Sequence, residues 1–346
     1  MAGGAPPLAE VPGNLCTSPA VVARNGGLLQ RPYQDLCRAS LVLVAALLCA
    51  TSAGLAQSLY KYRGPDGAWI YSDRAPPDDE SVEVRELPAG TASPRVTVSH
   101  RLVDGRMQLS AMNDYYAPVE LILGIDELQN AERPGAEQAL RWVLAARSEA
   151  QLLSLGAIAD AGAPKIVYRY TWLAGDPATE HKPVRAYRAP FAVASAFTIS
   201  QAFPNTVTHA RADSRHAVDI VMPIGTGVYA AREGTVFEIT GTNFRGGLDP
   251  ERDASAANLV RILHDDGTYA EYAHLNWNSI RVKPGDVVSR GEYIADSGNT
   301  GFTSGPHLHF AVIRNIGLRV ESVPVVFEGP NGSEIAPETG IQLSAY

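Results

Sequence analysis

Cysteine is nearly absent: the 346 residues hold three, Cys16, Cys37 and Cys49. From Ala50 onward the chain therefore has no disulfide framework, no thiolate metal site and no cysteine nucleophile. Charge is also sparse, at 19% of residues, and the excess is acidic, with a formal net charge of −8. That balance leaves no basic footprint for nucleic acid and no polybasic patch for an anionic membrane. Long apolar runs are missing too. The stretch Leu41–Ala50 is ten residues, short of the ~20 that a spanning helix needs.

That run is preceded by Arg31 and Arg38 and followed by small residues ending in Gly54-Leu55-Ala56. Positive region, apolar region, small-residue site is the order of a secretory signal peptide. Residues 1–56 are therefore read as a leader with its apolar region at about 41–56 and cleavage after Ala56. All three cysteines would leave with it. The leader starts some thirty residues in, which a start codon assigned too far upstream would explain. If uncleaved, it would anchor the chain.

What the chain does have is glycine (31) and proline (24), with Val, Ile, Thr and Tyr in short runs after residue 95. That favours many short strands over long helices. Tyr60 to Asp73 reads as two aromatic-rich strands around an Asp66-Gly67 turn, a small β-hairpin module at 57–80. It resembles an N-terminal module of exported Gram-negative proteins, ending in Tyr-Ser-Asp-x-x-Pro. Residues 75–80 look like a linker. Residues 95–185 read as a β-rich, sandwich-like domain. Within it 136–156 fit either a helix or two further edge strands, and Tyr115 and Tyr116 read as turn-flanking aromatics.

The third piece, 186–330, holds the chemistry, with 331–346 read as a tail. Six of the eight histidines lie between His209 and His309. A glycine-rich loop, Gly298 to Gly305, leads into His307-Leu308-His309-Phe310. In a strand His307 and His309 share one face while Leu308 and Phe310 enter the core. A His-x-His pair by itself also fits two half-exposed strand histidines; the crowding of histidines points to a site. Asp219 sits in the apolar run Ala217–Val221, where a lone carboxylate needs a metal, a cation or several donors. A hairpin across Asp266-Gly267 delivers His274.

Asp219, the run Gly225 to Val236, Tyr272-Ala273-His274-Leu275, the turn Gly285-Asp286-Val287-Val288-x-x-Gly291 and Gly298 to Phe310 together resemble the lysostaphin/LytM-type zinc metalloendopeptidases. The likeness covers roughly residues 200–315, in the family's order. It implies a mainly β chain whose C-terminal domain is an antiparallel β-sheet or β-barrel-like fold with an open groove. It also implies one Zn2+ per chain, with Asp219 and His309 as ligands and His274 and His307 as the catalytic, non-ligating pair. The family's first histidine stands four residues before the aspartate, and here that place is Arg215. His209 and His216 are left for the third ligand. His216, three residues before Asp219, would need a bulge to reach the metal, so His209 is favoured. His264, beside Asp265 and Asp266, reads as a surface residue near a turn.

The implied activity is hydrolysis of peptide bonds in bacterial peptidoglycan by metal-activated water. The implied location is the periplasm or envelope of a Gram-negative bacterium, with envelope proteins as further partners. Two other classes are open: a catalytically silent relative that binds the wall or activates another hydrolase, and a carrier-type β-domain, since the 285–291 turn resembles biotinyl and lipoyl carriers. No lysine at a hairpin tip supports the carrier.

Overall fold

The structure is a computed structural model that describes residues 95–346 except 136–139, 160 and 206, together with three strands inside 58–86. The proposed leader and its cysteines lie outside the described residues. The strands β1 (Ser58–Arg63), β2 (Trp69–Ser72) and β3 (Glu83–Glu86) form an antiparallel sheet in the order β2-β1-β3. The expected hairpin thus gains a third strand just beyond residue 80, which meets the need of an isolated hairpin for more partners.

Residues 95–346 belong to one compact unit. Its first part pairs β4 (Val96–Val103), β5 (Arg106–Asn113) and β8 (Ser148–Gly156) in one sheet. In a second sheet β6 (Val119–Gln129) lies between β7 (Arg141–Leu144) and β9 (Lys165–Ala174). The ambiguous stretch therefore supplies strands, not a helix, over its described residues. Leu109, Leu121, Leu144 and Leu153 from the two sheets share one core. This alternation of inward apolar and outward polar residues is the pattern of packed sheets.

The remainder is built on a nine-stranded antiparallel sheet. Its path runs β17 (Val287–Val288), β13 (Gly234–Thr240), β15 (Leu259–Leu263), β16 (Tyr269–Ala273), β20 (Leu308–Asn315), β11 (Val218–Ile220), β10 (Ala196–Gln201) and β24 (Gln342–Ser344), with β21 (Val320–Ser322) beside β20. The sheet is open. Its end strands β17 and β24 do not meet, so the barrel-like half of the expectation gives way to an open sheet. Short pairs flank it: β12 (Gly227–Tyr229) with β18 (Tyr293–Asp296), β14 (Gly246–Gly247) with β19 (Gly301–Phe302), and β22 (Phe327–Glu328) with β23 (Glu334–Ile335). Residues 331–346, expected as a tail, are built in: β24 pairs with β10, and Leu343 is fully buried.

Tyr187, Tyr272, Phe310 and Phe327 fill the core beneath this sheet. Each such side chain contributes roughly 1.5–3 kcal/mol on burial. The opposite face meets the first part of the unit, where Ala117, Phe237, Tyr269, Ala311 and Ile313 cluster with Tyr115 and Tyr116. The two tyrosines are junction residues, Tyr115 lying 5.0 Å from the Trp172 ring and Tyr116 under the Arg147 guanidinium. At the same junction the fully buried Glu120 accepts from Asn315 Nδ2 (2.8 Å) and Leu318 N (2.7 Å).

Candidate metal centre

Strand register brings the site together. β11 sits between β10 and β20, with Asp219 directly opposite His309 on one side and Gln201 on the other. On the far side of β20, Ala273 is opposite His309, so His274 emerges beside it at the end of β16. Cross-strand neighbours on one face lie ~5 Å apart at Cβ, close enough for their side chains to meet.

Asp219 Oδ1 is 2.8 Å from His309 Nδ1, and its Oδ2 is 3.1 Å from His209 Nε2. Two nitrogens and one carboxylate oxygen, all within 4.8 Å of one another, form a cluster able to hold a metal ion. The donor chemistry fits zinc, which in open sites takes three such protein ligands and leaves a fourth position free. Burial opposes ionisation of Asp219, yet bonds from His209 and His309 hold its carboxyl well below the usual range. Burial pulls His309 down, but the bond and charge of Asp219 outweigh it and raise its pKa.

His274 and His307 flank the cluster with ring centres 4.6 Å apart. Each is oriented by a backbone carbonyl: His274 Nδ1 is 2.7 Å from Thr300 O, and His307 Nδ1 is 2.8 Å from Gly305 O. A carbonyl only accepts, so Nδ1 carries the proton and Nε2 of each neutral ring is a free acceptor. His307 Nε2 lies 3.8 Å from Asp219 Oδ1. Burial, then the neighbouring His307 and His309, push the His274 pKa down to about 4. His274 also adopts φ 61°, a left-handed conformation; strain of this kind collects at functional sites.

His216 is elsewhere, its ring 4.7 Å from Phe203. His264 corrects the surface reading: it is only 3% exposed, with Nδ1 2.8 Å from Glu233 O. The turn it precedes folds inward because Arg232, itself buried, holds Asp265 and Asp266.

One participant escaped the sequence reading. Gln201 donates from Nε2 to Asp219 Oδ2 (2.7 Å) and Thr208 Oγ1 (2.9 Å), while its Oε1 accepts from Thr208 N (2.7 Å). It orients the carboxylate and ties down the segment carrying His209. A glutamine at an alternating strand position carries no sequence signal for this task.

Residues 213–322 match the model of peptidase family M23, and residues 46–98 match a domain of unknown function, DUF4124. The first match holds Asp219, His274, His307 and His309 and begins four residues after His209. That match agrees with the resemblance carried by the motifs. Among curated relatives, the chain is 34% identical over 123 residues to peptidoglycan DD-endopeptidase ShyA of Vibrio cholerae, covering 35% of this chain and 26% of the relative. It is 35% identical over 103 residues to glycyl-glycine endopeptidase ALE-1 of Staphylococcus capitis, covering 30% and 25%. Identity to lysostaphin of Staphylococcus simulans is 36% over 96 residues, covering 28% and 17%. The chain thus spans about a quarter or less of the length of these relatives. The solved catalytic domain of lysostaphin superposes with a TM-score of 0.24 at 27% identity, covering 40% of this chain and 79% of that one.

Proposed function

We propose that this protein is a zinc-dependent endopeptidase that hydrolyses peptide bonds of bacterial peptidoglycan outside the cytoplasm. The observation that carries the reading is the His209–Asp219–His309 cluster with the free Nε2 atoms of His274 and His307 beside it. The names of two relatives, peptidoglycan DD-endopeptidase ShyA and glycyl-glycine endopeptidase ALE-1, support the substrate class. His209, Asp219 and His309 are the ligands in this reading. A zinc ion held there supplies Lewis acidity, polarising the scissile carbonyl and lowering the pKa of a water toward ~7.

The chain's own groups handle the proton. His274, neutral because it is buried, accepts the proton of the attacking water at Nε2. His274 then returns that proton from Nε2 to the leaving amine, and His307, held by Gly305 O, gives a hydrogen bond to the developing oxyanion when its Nε2 also carries a proton. The carbonyls of Thr300 and Gly305 keep both rings in the working tautomer. Among the described residues no helix is long and apolar enough to cross a membrane. Action on the wall requires export, which the proposed leader would provide.

The test is digestion of purified peptidoglycan by the full chain with zinc, with products identified by mass. New amine ends, absent for Asp219→Ala, are expected; none would return the reading to a silent wall-binding or activating factor. Metal analysis divides the roles. His209→Ala, Asp219→Ala and His309→Ala should lose zinc, and His216→Ala should keep it. His274→Ala and His307→Ala should keep zinc while kcat falls ~100- to 1,000-fold; zinc loss there would overturn the division.

A further inference from the structure

His209 is the member of the metal cluster that no strand carries. Asp219 and His309 face each other across β11 and β20, whereas His209 comes after β10 has ended at Gln201. A side chain on a loop is placed less precisely than one on a strand unless other groups hold the loop. The ring itself has no such support: His209 is buried, and its Nδ1 has no hydrogen-bond partner among the described residues. Metal-binding imidazoles are ordinarily aimed by a partner on their other nitrogen. The aim of His209 must therefore come from the backbone that leads to it.

That backbone is held at both ends. Next to His209, Gln201 Oε1 accepts from Val207 N and from Thr208 N (2.7 Å). The start of the segment is held by residues beyond the 213–322 match. β24 pairs with β10 as far as Gln342 opposite Thr198. Two backbone bonds extend the pairing, from Ile199 N to Ile341 O (2.9 Å) and from Gly340 N to Ile199 O (2.8 Å). At Gly340, with φ 94°, the chain turns away. The next rung is made by a side chain. Thr339 Oγ1 accepts from Ala202 N (3.0 Å) and donates to Asn205 O (3.1 Å). Ala202 and Asn205 are bridge partners, so one hydroxyl grips both ends of the turn that begins the path to His209. Leu343 and Ala345, buried in the core, anchor the strand that follows Thr339.

We propose that Thr339 is a positioning residue for the metal ligand His209. Its hydroxyl fixes the turn from Ala202 to Asn205 and Gln201 fixes Val207 and Thr208, so the segment delivers His209 Nε2 to Asp219 Oδ2 without any partner on the ring's other nitrogen. The proposal rests on the reading of His209, Asp219 and His309 as zinc ligands. It makes the strand pairing beyond residue 322 part of the metal centre. Thr339 lies on the surface, where water competes for its hydroxyl, so the effect of losing it is moderate.

The experiment uses the full chain and its Thr339→Val and Thr339→Ser variants. Zinc is titrated against a chromophoric chelator, and cobalt(II) is bound to saturation for its visible absorption, which is strong only while the ligands hold the ion tetrahedrally. Valine keeps the shape of threonine and loses the hydroxyl; serine keeps the hydroxyl. Thr339→Val is expected to weaken zinc binding by about three- to tenfold and to lower the cobalt absorption, with Thr339→Ser matching the wild type in both. Unchanged affinity and absorption in Thr339→Val overturn the role of Thr339 and leave the ligand reading standing, as does a Thr339→Ser chain as weak as Thr339→Val. Weaker zinc binding with wild-type cobalt absorption assigns the loss to general stability and also overturns the positioning role. A wild-type chain that binds neither ion overturns the ligand reading, and the role of Thr339 with it.

Discussion

Gln201 is a residue whose loss should be felt at the metal without its ever touching it. Partners that orient a ligand typically contribute 10- to 100-fold in metal affinity or activity. Gln201→Ala is expected to weaken zinc binding by about that range, read by competition with a chromophoric chelator; unchanged affinity would show that β11 alone holds the carboxylate. His264 makes a different prediction. Burial pushes its pKa down to about 4 from the ordinary imidazole value of about 6.5. Between those values the unfolded chain binds a proton that the folded chain refuses. Stability is therefore full above pH 6.5 and falls as pH drops toward 4, by roughly 3 kcal/mol from this group. Thermal melting midpoints should fall across that window, and fall less in His264→Gln. An equal fall in the variant would assign the acid sensitivity to other groups.

At the scale of elements, the glycine-rich loop before β20 holds the His274 and His307 rings by its backbone. Gly301 has φ 84°, and a Cβ there would lie 2.7 Å from Ala257 Cα. Only glycine fits both demands. The neighbouring Thr300 carbonyl orients His274, and Thr300 Oγ1 donates to Leu275 O (2.8 Å) while accepting from Asn258 N (3.0 Å). Gly301→Ala should thus lower kcat by at least tenfold with zinc content retained, because a shifted Thr300 carbonyl misaligns the His274 ring. Wild-type kcat in that variant would remove the loop from the mechanism. The sequence made much of this level readable: glycine spacing marked the loop, and alternation placed His307 and His309 on one face. It did not reveal which carbonyls orient them, since hydrogen bonds to backbone leave no mark on residue type.

In the whole unit, the sandwich-like part and the catalytic sheet share a sealed junction. Glu120 is fully buried, with Arg141 Nε 2.9 Å from its Oε1 and two donors arriving from beyond residue 314. Removing one member of such a buried set costs about 3–5 kcal/mol. Glu120→Ala is expected to lower stability by that order in denaturant unfolding. Residues 186–346 alone would expose Phe237, Tyr269 and Ile313 and should melt lower or aggregate; a fragment as stable as the full chain would show the junction to be dispensable. Ala217 lies two residues from Asp219, and Ala311 and Ile313 two and four from His309, so the sandwich-like part packs on the same face of the sheet that carries the site.

By itself the sequence determined the β character, the candidate metal and catalytic residues, and the M23 resemblance, because strand alternation, turn glycines and histidine spacing are local properties of the chain. It also favoured His209 over His216, since a strand turns a residue three before Asp219 to the other face, while leaving both open. Only the tertiary structure decided that His209 and not His216 joins Asp219, that His264 is buried, that Gln201 braces the carboxylate and that Thr339 reaches the turn before His209. Each of these depends on register between strands far apart in the chain or on the path of the segment between His209 and Asp219, and no local pattern encodes either.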